Sequence, residues 1–377
     1  MRVDELRAGV VGTGFIGVVH VDALRRLGIE VVGVAGSTPE RAAAKGIAPA
    51  YESFEALLDD RVDVVHVTTP NHLHFLQVRQ ALEAGKHVVC EKPLAMTSEE
   101  SAELVERAER AGLVHCTNFN LRFYPLVQEA RERIRAGELG DVWNVHGGYL
   151  QDWLARPTDW NWRLEAEKAG TLRAVGDIGS HWMDLAQFVT GSRIVEVVAD
   201  LVTVFPTRSR LTGEVETFVR ADDVSRENVE VHTEDVAHIL LRFENGARGS
   251  LVVSQVSMGR KNSLRIEIDG SEAAIAWDSE RNEELWLGGR EAPNETLMRN
   301  AALMHPAAAA RTHLPVAHAE GFADTFRELY RAVYADVARG GPSDEPDYPT
   351  FRDGHVENVL GDAVALSNRE RRWVEVT

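Results

Sequence analysis

Short apolar runs alternate with amphipathic stretches over the first third of the chain. "LRAGVV" (6–11), "EVVGVA" (30–35), "VDVVHV" (62–67), "HVVC" (87–90) and "LVHCT" (113–117) are continuous enough to be strands buried on both faces. Between them, "GVVHVDALRRL" (17–27), "PERAAAK" (39–45), a stretch closed by Ala84 and Gly85, and residues 98–111 carry helical spacing. This alternation predicts a parallel sheet with helices on both sides, an α/β domain of the Rossmann type.

Beyond about residue 120 the rhythm changes. Helical spacing at 124–136 leads into the strand-like "VWNVHGGYL" (142–150), a Trp-rich loop (151–164) and a helix from about 178 to 189. Longer alternating runs follow at 193–204, 235–243, 247–256, 264–269 and 273–277, with "ENGA" as a hairpin turn. They predict an α+β domain on a large open, mostly antiparallel sheet, with the polar segment 206–234 inserted as a loop. Helical pattern returns at 319–338 and 351–369. The expected division is 1–122, where "GTGFIG" (12–17) between the first strand and first helix marks a dinucleotide-binding domain, and 123–377, which would then serve substrate binding and oligomerisation.

Length agrees with two cores, since 377 residues exceed what one core comfortably serves. The net charge of −18 argues against nucleic acid or an anionic membrane surface as partner. Cys90 and Cys116 both lie in apolar strand-like runs, which reads as buried reduced thiols. With no apolar run long enough to span a bilayer, the expectation is a soluble cytoplasmic protein. An open sheet with one uncovered face would bury it against another copy, as a homodimer or homotetramer.

Candidate chemistry collects at strand ends. "GTGFIG" follows the first strand and opens the first helix. There Gly12 permits a tight turn, Gly14 lets backbone approach a pyrophosphate, and Gly17 lets helix pack on strand. Phe15 and Ile16 belong to the same turn. At the end of the second strand an acid would bind the ribose 2′-hydroxyl of NAD. Here Gly36 is followed by Ser37, Thr38 and Arg41, which suit a 2′-phosphate and favour NADP. Arg41 lying flat on adenine would serve either cofactor.

"TTPNH" ends the third strand, "EKP" the fourth, and "NFNLR" (118–122) follows the fifth. In open α/β sheets ligands bind at those carboxyl ends. Lys92, between Glu91 and Pro93, is either a solvated strand-end lysine or a fixed cation. "GDIGSHWMD" (176–184) puts Asp177 and His181 on one helical face, beside the apolar stripe Ile178, Trp182, Leu185 and Val189. Asp177 is a helix cap or a functional carboxylate. A metal held by this pair lacks a third ligand at an obvious spacing, so none is expected. Trp153, Trp160 and Trp162 offer flat faces to a sugar or pack a domain junction, while Asp152, Asn120 and Arg163 could meet hydroxyls.

Taken together, "GTGFIG", "TPN", "EKP" and "DIGSH" resemble the Gfo/Idh/MocA oxidoreductases, over essentially the whole chain. The resemblance implies Lys92, Asp177 and His181 as the catalytic set. It also implies Thr69, Pro70, Asn71, His74, Glu91 and the Trp162–Arg163 pair beside the nicotinamide cofactor. The sequence departs where many members carry a glycine run, with "AGTLRAVG" before Asp177.

The expected reaction is hydride transfer between NAD(P) and a secondary alcohol of a sugar, glycoside or cyclitol. Histidine ordinarily titrates near neutrality, which suits His181 as general base. Lys92 would hydrogen-bond the same oxygen, and Asp177 would orient His181 or grip a neighbouring hydroxyl. Two alternatives on this scaffold are reduction of a ketose, inosose or dihydrodiol, and NAD-dependent, redox-assisted glycoside cleavage. A non-catalytic nucleotide sensor would not need the Lys92, Asp177 and His181 set.

Overall fold

The computed structural model describes residues 2–212 and 226–377. The chain forms two compact units. Met1–Asn120 joins Phe322–Asn358 in the first, and Leu121–Gly321 joins Val359–Thr377 in the second.

In the first unit β1 (Arg7–Val11), β2 (Glu30–Ala35), β3 (Val64–Val67), β4 (His87–Cys90) and β5 (His115–Thr117) form one parallel sheet, ordered β2-β1-β3-β4-β5. Its strands are buried almost throughout, as at Val10, Val34, Val65, Val88 and Val89, which is why their sequences are continuously apolar. The connecting helices are α1 (Phe15–Arg26), α2 (Pro39–Lys45), α3 (Phe54–Asp59), α4 (His74–Glu83) and α5 (Ser98–Arg110). Local chemistry sets their limits. Thr97 accepts from the Glu100 amide, Glu99 and Glu100 occupy the first turn of α5, and Arg107 and Arg110 its last. The order of connection reverses at β1, so the crevice at the carboxyl ends of β1 and β3 is the expected ligand position.

In the second unit α6 (Pro125–Arg135) leads to β6 (Val142–Leu150), the one-turn α7 (Ala166–Ala169), and α8 (Ser180–Thr190). The strands β7 (Ile194–Val202), β8 (Thr207–Leu211), β9 (Arg226–Glu230), β10 (Val236–Phe243), β11 (Arg248–Ser254), β12 (Ser263–Gly270), β13 (Ala273–Asp278), β14 (Glu284–Gly289) and β15 (Glu295–Met298) follow. After the single turn α9 (Pro306–Ala309) come α10 (Phe322–Arg339), α11 (Phe351–Glu370) and β16 (Val374–Glu375). Among the described residues nine strands make one sheet, ordered β15-β14-β13-β12-β6-β11-β10-β7-β16. The β6–β11 ladder is parallel and the others antiparallel. Burial alternates along β10, with Ala237, Ile239, Leu241 and Phe243 inside. Trp182, Leu185 and Val189 of α8 are buried too, and α8 lies against β6 and β12.

Three features differ from the sequence expectation. Phe322–Asn358, assigned above to the second domain, belongs to the first unit. Its helix α10 packs on α1, buries Phe326, Leu329, Tyr330 and Tyr334, and links Asp324 to Arg26. The 206–234 segment is not all loop, because β8 and β9 pair as an antiparallel ribbon. Its strands "TRSRL" and "RENVE" are polar on both faces, so no apolar alternation marks them; 213–225 lie outside the described residues. The helix carrying His181 begins earlier than expected, with a π-helical turn at Val175–Gly179 running straight into α8.

Candidate active site

The turn after β1 has the mechanics that its glycines suggest. Gly12 sits at φ +101°, and a β-carbon there would come within 2.6 Å of the Thr68 backbone. At Gly17 a β-carbon would lie 2.2 Å from the Gly12 carbonyl oxygen, whereas at Gly14 it meets nothing within 4 Å. Gly14 stands at the N-cap of α1 and brings no side chain to the helix start, where the backbone N–H groups and the helix dipole favour an anion. Open space at Gly14 beside this helix start fits a dinucleotide pyrophosphate. Phe15 is exposed and Ile16 half-buried at this mouth. Thr68 locks the turn, its hydroxyl 2.9 Å from the carbonyl oxygens of both Val11 and Gly12. Sequence reasoning missed it; the signal was the doubled threonine of "TTPN".

At the end of β2, Ser37, Thr38 and Arg41 are exposed. The Thr38 hydroxyl oxygen also accepts from the Arg41 amide at 3.3 Å, capping α2. Thr69, Pro70 and Asn71 are half-buried after β3, and the Thr69 hydroxyl donates to Gln77 Oε1 at 2.6 Å. His74 differs from its expected cofactor-facing role. It is buried, with Nδ1 2.7 Å from the Pro93 carbonyl oxygen and Nε2 2.8 Å from that of Thr69. Burial pushes its pKa down, the two carbonyls opposing. The ring is a strut tying the loop after β3 to the loop after β4.

The turn bearing Lys92 is held at both ends. His74 grips Pro93, and the buried Glu91 grips the start. Glu91 Oε1 accepts from Asn118 Nδ2 at 2.6 Å and His20 Nε2 at 3.0 Å, and Oε2 accepts from the Lys92 amide at 3.2 Å. Glu91 is thus a support for the turn. The support extends inward, with His20 Nδ1 3.0 Å from His66 Nδ1, and His66 Nε2 3.0 Å from the Tyr334 hydroxyl. Burial, then the neighbouring His20, pushes the His66 pKa well down, so we assign it neutral. Tyr334, His66, His20 and Glu91 thus form one continuous line of buried hydrogen bonds. Neither His20 nor His66 was singled out as a site residue, although a histidine inside "VVHV" signals a buried partner. Asn120 also departs from expectation. It is buried, and its amide donates to Thr325 Oγ1 at 2.7 Å.

In the second unit Asp177 lies within the π turn, one position before Ile178 enters the core, and is not a helix cap. Its Oδ1 accepts from Arg163 Nε at 3.0 Å and its Oδ2 from Gln255 Nε2 at 2.9 Å. π-Helical turns recur at functional sites. His181, half-buried in the first turn of α8, has Tyr149 as a ring neighbour at 6.5 Å. Arg163 also lies over the Trp162 ring, 4.5 Å from its centroid. Trp153 and Trp160 pack on Leu154, Leu164 and Val231, and Trp153 Nε1 donates to Gln151 Oε1 at 2.7 Å. Asp152 accepts from Lys261 Nζ at 2.6 Å and the Gly259 amide at 3.0 Å, which makes it a brace for that turn. Among the described residues one trio of possible metal ligands comes together, His146, Glu267 and Asp269 on β6 and β12; it contains none of the catalytic candidates.

Comparison with known proteins follows the same two-part division. Residues 6–119 match a model described as an oxidoreductase family with an NAD-binding Rossmann fold, and 127–276 match the GFO/IDH/MocA C-terminal domain. The chain belongs to the Gfo/Idh/MocA oxidoreductases. Within that family it is 32% identical to levoglucosan dehydrogenase from Pseudarthrobacter phenanthrenivorans, over 99% of this chain and 98% of that one. A solved levoglucosan dehydrogenase in complex with NADH and L-sorbose superposes with TM-score 0.88 at 30% identity, covering 99% of each chain. An inositol dehydrogenase homologue from Azotobacter vinelandii, complexed with NAD+, gives TM-score 0.84 at 27% identity, covering 98% and 97%. As a Gfo/Idh/MocA member the chain is an NAD-binding oxidoreductase, which agrees with the glycine turn and helix start at Gly14.

Proposed function

We propose that the protein is an NAD(P)-dependent dehydrogenase acting on a secondary alcohol of a cyclic sugar, glycoside or cyclitol, in the cytoplasm, as a homodimer or homotetramer. The observation that carries this reading is the Lys92 turn, clamped by Glu91 on one side and His74 on the other. A cation on so fixed a backbone suits an oxygen that gains negative character during reaction. The anhydro-sugar and inositol dehydrogenases similar to this chain narrow the substrate class.

The "GTGFIG" turn would hold the cofactor pyrophosphate, with Thr69, Pro70, Asn71, Trp162 and Arg163 toward its nicotinamide end. When bound, the nicotinamide supplies the hydride acceptor. His181 takes the hydroxyl proton as general base, and Lys92 hydrogen-bonds the same oxygen. Asp177, held by Arg163, orients the substrate or His181. Ser37, Thr38 and Arg41 give the site its NADP preference.

The test is a panel of levoglucosan, glucose and inositols with NAD and NADP, read by absorbance of the reduced cofactor. Lys92→Ala and His181→Ala should each slow turnover by about 10²–10⁴-fold. Near-full activity in both removes the assignment. Arg41→Ala should raise KM for NADP far more than for NAD, and equal effects remove the NADP preference. Hydrolysis of a glycoside without net reduction of cofactor would favour redox-assisted cleavage instead.

A further inference from the structure

Gln255, just past β11, is fully buried, and its amide has a donor on one side and a carboxylate on the other. Arg173, itself buried, donates from Nη1 to Gln255 Oε1 at 3.0 Å. A guanidinium has only donors, so the atom that faces it must be the amide oxygen. The amide nitrogen is thereby directed at Asp177 Oδ2, 2.9 Å away. Chemistry alone settles which way this amide points.

We propose that Gln255 is a positioning residue for the reaction, acting through Asp177, with Arg173 as the key that sets its amide. This rests on the reading that Asp177 serves the reaction. Arg173 has no freedom to turn. Its Nε donates to Thr233 Oγ1 at 3.2 Å, its Nη2 to Asp235, and its backbone amide to Glu234 Oε2 at 3.0 Å. Gln255 is anchored in turn, its backbone N–H donating to the Asp235 carbonyl at 3.0 Å. Asp177 Oδ1 accepts an N–H from Arg163 and Oδ2 an N–H from Gln255, an arrangement that fixes the plane of the carboxylate. The other groups around this carboxylate are Tyr149 of β6, which feels its charge, and His181 of α8 four residues on. A well-oriented Asp177 leaves Arg163 held against the Trp162 ring as well.

Gln255→Glu tests this directly. Arg173 would retain one oxygen of the new carboxylate, and the other would face Asp177 where an N–H had been. Two carboxylates so placed share a proton, so the acid limb of the kcat/KM profile should move to higher pH by about one unit or more. Gln255→Met removes the donor without adding charge and should lower kcat by about 10–100-fold, the worth of a hydrogen bond to a charged group. Both are measured with the substrate and cofactor of that panel that give the highest wild-type turnover, beside wild type and Asp177→Asn, with far-UV circular dichroism as a folding check. A Gln255→Glu profile that coincides with wild type, or wild-type kcat in Gln255→Met, overturns the proposal while a crippled Asp177→Asn leaves the Asp177 reading intact. Should Gln255→Glu fail to fold, Gln255→Met decides. An Asp177→Asn enzyme with wild-type rate and profile removes the underlying reading and the proposal with it.

Discussion

His115 shows what burial does to one side chain. It ends up in the first unit with Nδ1 accepting from the Phe351 amide at 3.0 Å and its ring against Phe351. Burial drives its pKa down to about 4, with Arg352 adding to the shift and Asp353 opposing it. An unfolded histidine titrates near 6.5. Between those two values the unfolded chain binds a proton that the folded one refuses, so stability falls as pH drops. Above about 6.5 the contribution is complete; by about pH 4 roughly 3 kcal/mol has gone. His66 and His74, also pushed down by burial, act in the same direction. Urea midpoints measured from about pH 7 to 4.5 should fall less steeply in His115→Asn, which keeps an acceptor near the Nδ1 position; equal slopes would reject the account. The strand around His115 was legible as an apolar run, but a histidine's partners come from remote segments. The same holds for Glu91, whose place in "EKP" is visible in sequence while His20 and Asn118 are not.

Elements were legible where one face is apolar and illegible where charge does the packing. The β8–β9 ribbon is the clearest instance. Arg208, fully buried, reaches from β8 to Asp235 at 2.6 Å and donates to the carbonyl oxygens of Arg156 and Asp159 at 2.9 and 3.3 Å. Ser209 N donates to the Pro157 carbonyl at 2.8 Å, and Arg226 Nη1 to that of Thr158 at 2.9 Å. The ribbon therefore staples the aromatic loop. Burial raises the pKa of Asp235, but Arg173 and Arg208, with the Phe205 amide, more than offset that and hold it low. Arg208→Met would strip one of the two cations from a buried carboxylate. The expected loss is on the order of 3 kcal/mol, read by urea denaturation and accompanied by faster proteolysis within 151–164. Adding Asp235→Asn should recover part of it, and an unchanged midpoint in the single variant would show that Arg173 suffices.

At the scale of the whole molecule, two matters go beyond any one element. The large sheet turns alternate side chains of β10 and β7 outward, leaving Leu240 51% and Val202 41% exposed. If this face joins copies of the chain, Leu240→Arg should shift the sedimentation coefficient toward the monomer while leaving the circular dichroism spectrum intact; an unchanged coefficient would place the interface elsewhere. Among the described residues no helix is long and apolar enough to cross a membrane. The second matter is that 322–358 returns to the first unit, where α10 covers α1 and gives Tyr334 to His66.

By itself the amino-acid order determined the local matters, because each is set within a few residues. Backbone freedom at Gly12 and Gly14, apolar periodicity in strands and helices, and a proline after Lys92 are properties of neighbours in sequence. It also sufficed to place the chain in its family. The tertiary structure decided whatever depends on pairs far apart in the chain. It gave Glu91, His74 and Asn120 partners that brace the loops around them, and it put Gln255 and Arg163 on the two oxygens of Asp177. A buried polar atom must find a partner, and only the folded backbone determines which remote side chain is within reach.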